Sequence, residues 1–308
     1  MKLVAVGTVA FDTIETPFEK RDYVIGGAAT YIALSASQFV NQSGMVSVIG
    51  DDFPKSMLDQ LSGRGVDLTG LQVKQGEKSF YWSGKYHFDM NSRDTLVTDL
   101  NVLADFDPIV PEGYKNCEFL MLGNLAPVVQ MKVLDQLHHR PALVVMDTMN
   151  FWMDIAWEDL MKVIARVDVL TINDEEARQM SKEHSLVRAA RKILTMGPKY
   201  LIIKKGEHGA LLFHGDKVFY APALPLEDVV DPTGAGDTFA GGFIGYLAHT
   251  GDISFENMKR AIIVGSALAS FTCEKFGPER LSEITKSELY ERVQAFVQLT
   301  NFEFQLEW

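Results

Sequence analysis

Six short runs in which apolar and β-branched residues follow one another recur along the chain, at residues 3–7, 45–49, 119–122, 142–146, 168–172 and 200–203. Unbroken runs of this kind predict strands buried on both faces. Between them, residues 28–39, 54–63, 127–138, 157–166 and 174–180 have a helical pattern. Regular alternation of the two patterns predicts right-handed β-α-β crossovers, and hence an α/β fold with a mainly parallel sheet covered on both sides. Ligands of such sheets bind beyond the carboxyl ends of the strands. One region breaks the alternation. Residues 71–73 and 78–88 read as strands around a turn at Gly76, with no helix between them. Together with residues 13–23 they predict a small sheet standing off the main one, or else an ordinary edge hairpin. There are no repeats or low-complexity linkers, so residues 1–308 are expected to form a single domain with a small excursion.

Composition narrows the functional classes. The chain is 47% hydrophobic and 23% charged, the balance of a globular protein with a large core. The 29 basic and 41 acidic residues give a net charge of -12 with no basic stripe, so nucleic acid is not an expected partner. The longest apolar run, residues 261–271, falls short of the roughly 20 residues a bilayer-spanning helix needs, and the first residues lack a basic segment followed by an apolar core. The expectation is a cytoplasmic protein without a membrane partner. Cys117 and Cys273 are far apart and neither lies in a Cys-x-x-Cys pair, so no disulfide framework or cysteine zinc site is indicated. Asp135, His138 and His139 have a spacing that could hold a metal but read better as a solvated helix end.

The stretch DPTGAGDTFAGGF, residues 231–243, lies between a β-like segment at 218–222 and a helical one carrying Phe239, Phe243 and Leu247, which Gly251 would stop. Gly234 and Gly236 permit backbone geometry closed to other residues, so successive amides can converge at a helix N-terminus, where an anion is the natural occupant. The phosphate loop of nucleotide triphosphatases would need Gly-Lys-Ser/Thr, which is absent. A dinucleotide fingerprint would need glycine where Phe239 stands. What sets this loop apart is Asp237. A carboxylate beside an anion cradle suggests a base acting on a neutral hydroxyl next to a phosphate; the plainer alternative makes Asp237 a helix cap and Gly241, Gly242 and Gly245 close-packing positions.

DPTGAGDTFAGGF resembles the C-terminal signature of the ribokinase-like (PfkB) family of carbohydrate and nucleoside kinases. Gly26-Gly27 in VIGGAATYIALSAS is similar to that family's N-terminal signature, TIND-EE (171–176) to its Asn-x-x-Glu element, and IIKKGEHGALLF (202–213) to its nucleotide-side strand and turn. The matches run in the family's order from residue 7 to about residue 280. The resemblance implies a three-layer α/β/α fold with a small β lid at about 13–24 and 71–98. It also implies an ATP- and Mg2+-dependent kinase acting on a sugar, polyol or nucleoside, and a homodimer through the lid. Asp237 would be the catalytic base, with the Ala235, Gly236 and Asp237 amides after Gly234 forming an anion hole. Asn173, Glu176, Lys204, Gly206, Gly209, Thr233, Gly265 and Ala269 would line the nucleotide site. Glu176 would hold Mg2+ through water, and Asp231 would lie where some relatives bind K+. Asp12, Gly26, Gly27, Tyr31 and Asn124 would face the acceptor. Tyr31 departs from the Asn that many sugar and nucleoside kinases of the family carry, so ribose or fructose recognition is not implied, and inositol and nucleoside acceptors stay open. A nucleotide-responsive binding protein without catalysis is the competing class, and a dehydrogenase a distant third.

Overall fold

The computed structural model describes residues 1–301. In chain order the elements are β1 (Leu3–Val6), β2 (Ala10–Glu15), β3 (Lys20–Gly26), α1 (Ala28–Ala36), β4 (Ser43–Gly50), α2 (Lys55–Gly63), β5 (Val66–Asp67), β6 (Leu71–Lys74), β7 (Phe80–Tyr86) and β8 (Arg93–Asp99). There follow β9 (Phe119–Leu122), α3 (Pro127–Asp135), β10 (Leu143–Asp147), α4 (Asn150–Ile155), α5 (Trp157–Ile164), β11 (Val169–Asn173), α6 (Asp174–Ser181) and α7 (Leu186–Leu194). The chain continues with β12 (Tyr200–Lys204), β13 (Ala210–His214), β14 (Lys217–Ala221), α8 (Ala235–Thr250), α9 (Phe255–Thr272), α10 (Glu279–Glu283) and α11 (Lys286–Thr300).

The main sheet runs β14-β13-β12-β11-β10-β9-β1-β4-β5, with β6 also paired to β4. Its pairings are parallel except for β12 with β13 and β13 with β14, a hairpin edge. Successive residues of the central strands enter opposite cores, which is why their sequences do not alternate. Val4, Leu120, Val144 and Leu170 pack on one side with α3, α5, α6 and α7. Leu3, Phe119, Leu143 and Val169 pack on the other with α1, α8 and α9. The fold is the three-layer α/β/α arrangement expected from the sequence, although the expected helices at 28–39, 127–138 and 157–166 end two or three residues early.

A second sheet, β3-β2-β7-β8, stands off the first. β2 and β7 are parallel, and β3 and β8 flank them antiparallel. Two boundaries differ from expectation. The segment 13–23 contributes parts of two strands rather than one. Residues 71–74 lie in the main sheet, where Ser47 to Gly50 of β4 pair with Leu71 to Lys74, so only the part from Phe80 onward belongs to the lid. A four-residue strand carries too little pattern to choose its sheet; the unpaired C-terminal half of β4 chooses it.

Candidate active site

The expected acceptor side is built around Gly26 and Gly27, at the junction of β3 and α1. A Cβ on Gly26 would lie 1.9 Å from Asp12 Oδ2, so only glycine lets the Asp12 carboxyl occupy this position. Gly27 has φ +93°, and a Cβ there would meet the Thr8 carbonyl oxygen at 2.5 Å. Tyr31, one turn into α1, is 1% exposed and its hydroxyl has no hydrogen-bond partner. The Tyr31 ring lies against Gly234, where a Cβ would meet it at 2.3 Å. The residue that replaces the common Asn therefore braces the glycine-rich loop itself.

Gly234 is the N-cap of α8 with φ +77°, and no side chain caps this helix. The Ala235 amide donates to the Pro232 carbonyl at 3.2 Å. The Gly236 and Asp237 amides have no acceptor among the described residues. Asp237 is thus not a cap: it stands in the first turn with unpartnered amides on its N-terminal side. Gly241, Gly242 and Gly245 do serve close packing, since added Cβ atoms would meet the Ile32 carbonyl oxygen, Leu268 Cδ1 and Ala36 Cα at 2.5, 2.7 and 2.8 Å.

One ammonium, Lys204 at the end of β12, feels three carboxylates: Asp147 at the end of β10, Glu176 in α6 and Asp237 in α8. Lys204 Nζ donates to Asp147 Oδ2 at 2.6 Å and lies 3.2 Å from where a Gly236 Cβ would stand. Burial works against the Lys204 charge, but Asp147 and Glu176 outweigh it and hold its pKa above the ordinary lysine value. Burial and then the Asp147 charge push Asp237 up to about 7, against the pull of Lys204 and Arg93. The same two causes, opposed chiefly by Lys204, raise Glu176 to about 7. Asp12 is raised further, to about 8, by burial and then by Asp231 and Asp237. The Asp237 charge acting on Asp12 places the carboxyl beside Gly26 and the candidate base in one electrostatic site.

Asn173 and Glu176 form a reciprocal capping box on α6: Glu176 N donates to Asn173 Oδ1 at 2.8 Å, and Asn173 N donates to Glu176 Oε2 at 2.7 Å. The cap and the site coexist, because only one Glu176 oxygen is committed to it. Asp231 is fully buried; Oδ1 accepts from Thr233 N at 2.8 Å and Oδ2 from Gly277 N at 3.1 Å. Burial also raises its pKa. Gly206 and Gly209 have positive φ in the β12–β13 turn, and a Cβ on Gly206 would reach Asn91 Oδ1, from the lid, at 2.1 Å. Gly265 presses on the Phe239 carbonyl of α8 and Ala269 packs in the α8/α9 core, so both contribute to helix packing. Asn124 is held by neighbours: its Oδ1 accepts from Trp152 Nε1 at 2.9 Å and its Nδ2 donates to Met149 Sδ.

Sequence reasoning missed Arg93 and the bond that Tyr86 makes. Arg93, at the exposed start of β8, carries a positive charge felt by Asp12, Glu176 and Asp237, and its guanidinium lies over the Trp82 and Tyr86 rings at 5.8 and 6.0 Å. Tyr86 accepts a hydrogen bond from Thr233 Oγ1 at 3.1 Å, joining the lid to the glycine-rich loop. Tyr86 reads from the sequence only as a lid aromatic, and no local pattern marks Arg93 or the bond to Thr233, because both depend on how the lid folds over the strand ends. Asp135, by contrast, pairs with Arg166 and His138 with Glu112; among the described residues no His, Cys, Asp and Glu group could hold a metal by itself. No helix there is long and apolar enough to cross a membrane.

Comparison with known proteins follows the same lines. Residues 2–285 match the model of the pfkB family carbohydrate kinases. A cytidine kinase of Thermococcus kodakarensis is 34% identical over 79% of this chain and 87% of its own length. Among solved structures, the Methanocaldococcus jannaschii nucleoside kinase, described as an archaeal member of the ribokinase family, superposes with a TM-score of 0.76 at 21% identity, covering 96% of this chain and 98% of its own. An E. coli structure described as a putative ribokinase II in complex with ATP and Mg2+ superposes with a TM-score of 0.78 at 20% identity, covering 97% and 99%.

Proposed function

The chain belongs to the pfkB family of carbohydrate kinases, phosphotransferases with hydroxyl acceptors, and from that premise we propose an ATP-dependent nucleoside kinase with Asp237 as its general base. The observation that carries the reading is the first turn of α8. A partly buried carboxyl with a pKa near 7 stands beside the unpartnered Gly236 and Asp237 amides, and its charge helps to raise the Asp12 carboxyl. A base with that pKa is balanced between taking a proton and releasing it near neutral pH.

The acceptor hydroxyl gives its proton to Asp237 as its oxygen bonds to the γ-phosphorus, and the bond from that phosphorus to the ADP oxygen breaks. The Gly236 and Asp237 amides, the helix dipole and Lys204 offset the negative charge on the transferring group. Asp12 accepts or donates to acceptor hydroxyls, and Gly26 and Gly27 let the acceptor approach the backbone. The Glu176 carboxyl, with one oxygen outside its capping box, would hold Mg2+ through water, in keeping with an ion that prefers oxygen ligands and usually keeps several waters. The chemistry supplied there by a bound magnesium ion would be neutralisation of phosphate charge. Asp231 fits potassium less well, because both of its oxygens already accept backbone amides, and no step is assigned to that ion.

A nucleoside is favoured among the acceptors by the 34% identical relative, a cytidine kinase, and by aromatic residues grouped on the lid. Phe11 and Tyr23 lie 5.9 Å apart edge-on, and Tyr23 and Tyr81 5.2 Å apart, an arrangement suited to a planar base. The exposed Phe18, Phe88, Leu96 and Val97 on the lid suit contact with a second copy of the chain, which sedimentation would detect. The test of function is ADP release with ATP and Mg2+ over cytidine, other nucleosides, pentoses, hexoses and inositols. Turnover with nucleosides and none with free sugars or inositols is the expected result. ATP binding without ADP formation across the panel would instead indicate a nucleotide sensor.

A further inference from the structure

The lid and the glycine-rich loop meet at a small apolar cluster separate from the three main cores, made of Ile14 from β2, Tyr86 from β7 and Phe276 from the turn after α9. Tyr86 is 3% exposed there, yet its hydroxyl reaches out of the cluster to Thr233 Oγ1. Both partners of this phenol lead to the same carboxyl. The Thr233 amide donates to Asp231 Oδ1, and the amide of Gly277, next to Phe276, donates to Asp231 Oδ2. The Val230 and Asp231 amides in turn donate to the Cys273 carbonyl, closing the 230–234 segment against the end of α9. The residue that leads into the Gly234–Asp237 backbone, Thr233, is therefore tied both to a fixed anchor, Asp231, and to one lid residue, Tyr86.

We propose that Tyr86 is a positioning residue: its hydroxyl couples closure of the lid to the alignment of the Gly236 and Asp237 amides, so that the anion hole is complete only when the lid is seated. This rests on the kinase reading of the site and adds to it a link between acceptor enclosure and phosphoryl transfer. A lid that merely covered the acceptor would act on its affinity. A lid bonded to the amide loop acts on the rate of the chemical step, because the loop contacts charge that grows in the transition state.

Tyr86→Phe keeps the ring in its cluster and removes the hydroxyl. The expected result is a 5- to 10-fold fall in kcat, the scale of one neutral hydrogen bond, with the acceptor KM within about 2-fold. Thr233→Val breaks the same bond from the other side, so the double variant should be no slower than the slower single variant. Hydrogen exchange should show faster deuterium uptake in Tyr86→Phe at both the lid and residues 231–237. Unchanged kcat, additive single effects, or faster exchange confined to the lid would overturn the coupling. A wild-type protein that forms no ADP with any acceptor would sink the kinase reading instead, and the exchange measurement would still decide whether the coupling exists.

Discussion

Replacing Asp237 with Asn should disable the protein and make it more stable. In the folded chain the Asp237 carboxyl is raised from 3.8 to about 7, mainly by burial and then by Asp147. At 1.36 kcal/mol per tenfold change, that rise corresponds to about 4 kcal/mol of cost for holding the charged form above pH 7. The group keeps some solvent contact and can relax, so about 2 kcal/mol is a reasonable expectation, or about 4 °C in Tm for a chain of this size. The sign follows from linkage. Above pH 7 the folded carboxylate is ionised and the full cost is present. As the pH falls, the folded group takes up a proton while the unfolded one is still ionised, and the cost shrinks until it vanishes below about 3.8. Asp237→Asn should therefore melt higher than wild type at pH 8, and the gap should close towards pH 4. Its kcat should drop by about 10²- to 10⁴-fold with nucleotide affinity retained, and the wild-type rate should fall as the pH drops below 7. Thermal melts across pH, paired with ADP release, make the check. A variant less stable than wild type at pH 8, or a gap independent of pH, would refute the claim that the site stores this cost in Asp237.

Other substitutions probe the neighbouring parts. Gly26→Ala drives a methyl group into Asp12, so the acceptor KM should rise at least 10-fold while the ATP KM stays level; equal changes in both would show that the strain spreads beyond the acceptor side. Gly234→Ala combines a clash with the Tyr31 ring and a positive φ, and should cost about 1–3 kcal/mol in urea denaturation along with most of kcat. Lys204→Met leaves Asp147 buried without its partner, a loss of about 3–5 kcal/mol, and should shift the acidic limb of the pH–rate profile upward because Asp237 loses the cation that lowers its pKa. With Asp12 raised to about 8, Asp12→Asn should leave the acceptor KM within about 3-fold at pH 6.5 and diverge above pH 8; a large loss already at pH 6.5 would show that the ionised form does the binding.

Much of this was legible in the sequence. The central strands were readable because each is buried on both faces, leaving no polar position to interrupt the run, and the glycines at 26, 27 and 234 were readable because only glycine meets their steric demands. Asp237 read as either a base or a helix cap from its own neighbourhood, and only the resemblance of the whole stretch to a kinase signature pointed to the base. Less was legible where a partner comes from far along the chain. Leu71–Lys74 joins the main sheet because β4 offers a free edge, which no feature of those four residues announces. The role of Asp147 depends on a lysine 57 residues away, and Tyr86 meets Thr233 across 147 residues. Tyr31 was noticed as a departure from a pattern, but its packing on Gly234 is a property of two helices brought side by side.

The glycines of α8 have a consequence for how such a protein can change. Through Gly241 and Gly245 helix α8 lies backbone to backbone on α1, with Ser35 Oγ donating to the Thr238 carbonyl at 2.7 Å, and through Gly242 it packs on Leu268 and Gly265 of α9. Helix α1, proposed to receive the acceptor, and helix α8, which carries the proposed base, are thereby one stiff frame, whose spacing is set by main-chain contact. The lid touches this frame at few points. New acceptors can be accommodated by rewriting the lid and its loops while the geometry of the transfer step is left alone, and redesign of specificity in this chain should begin there.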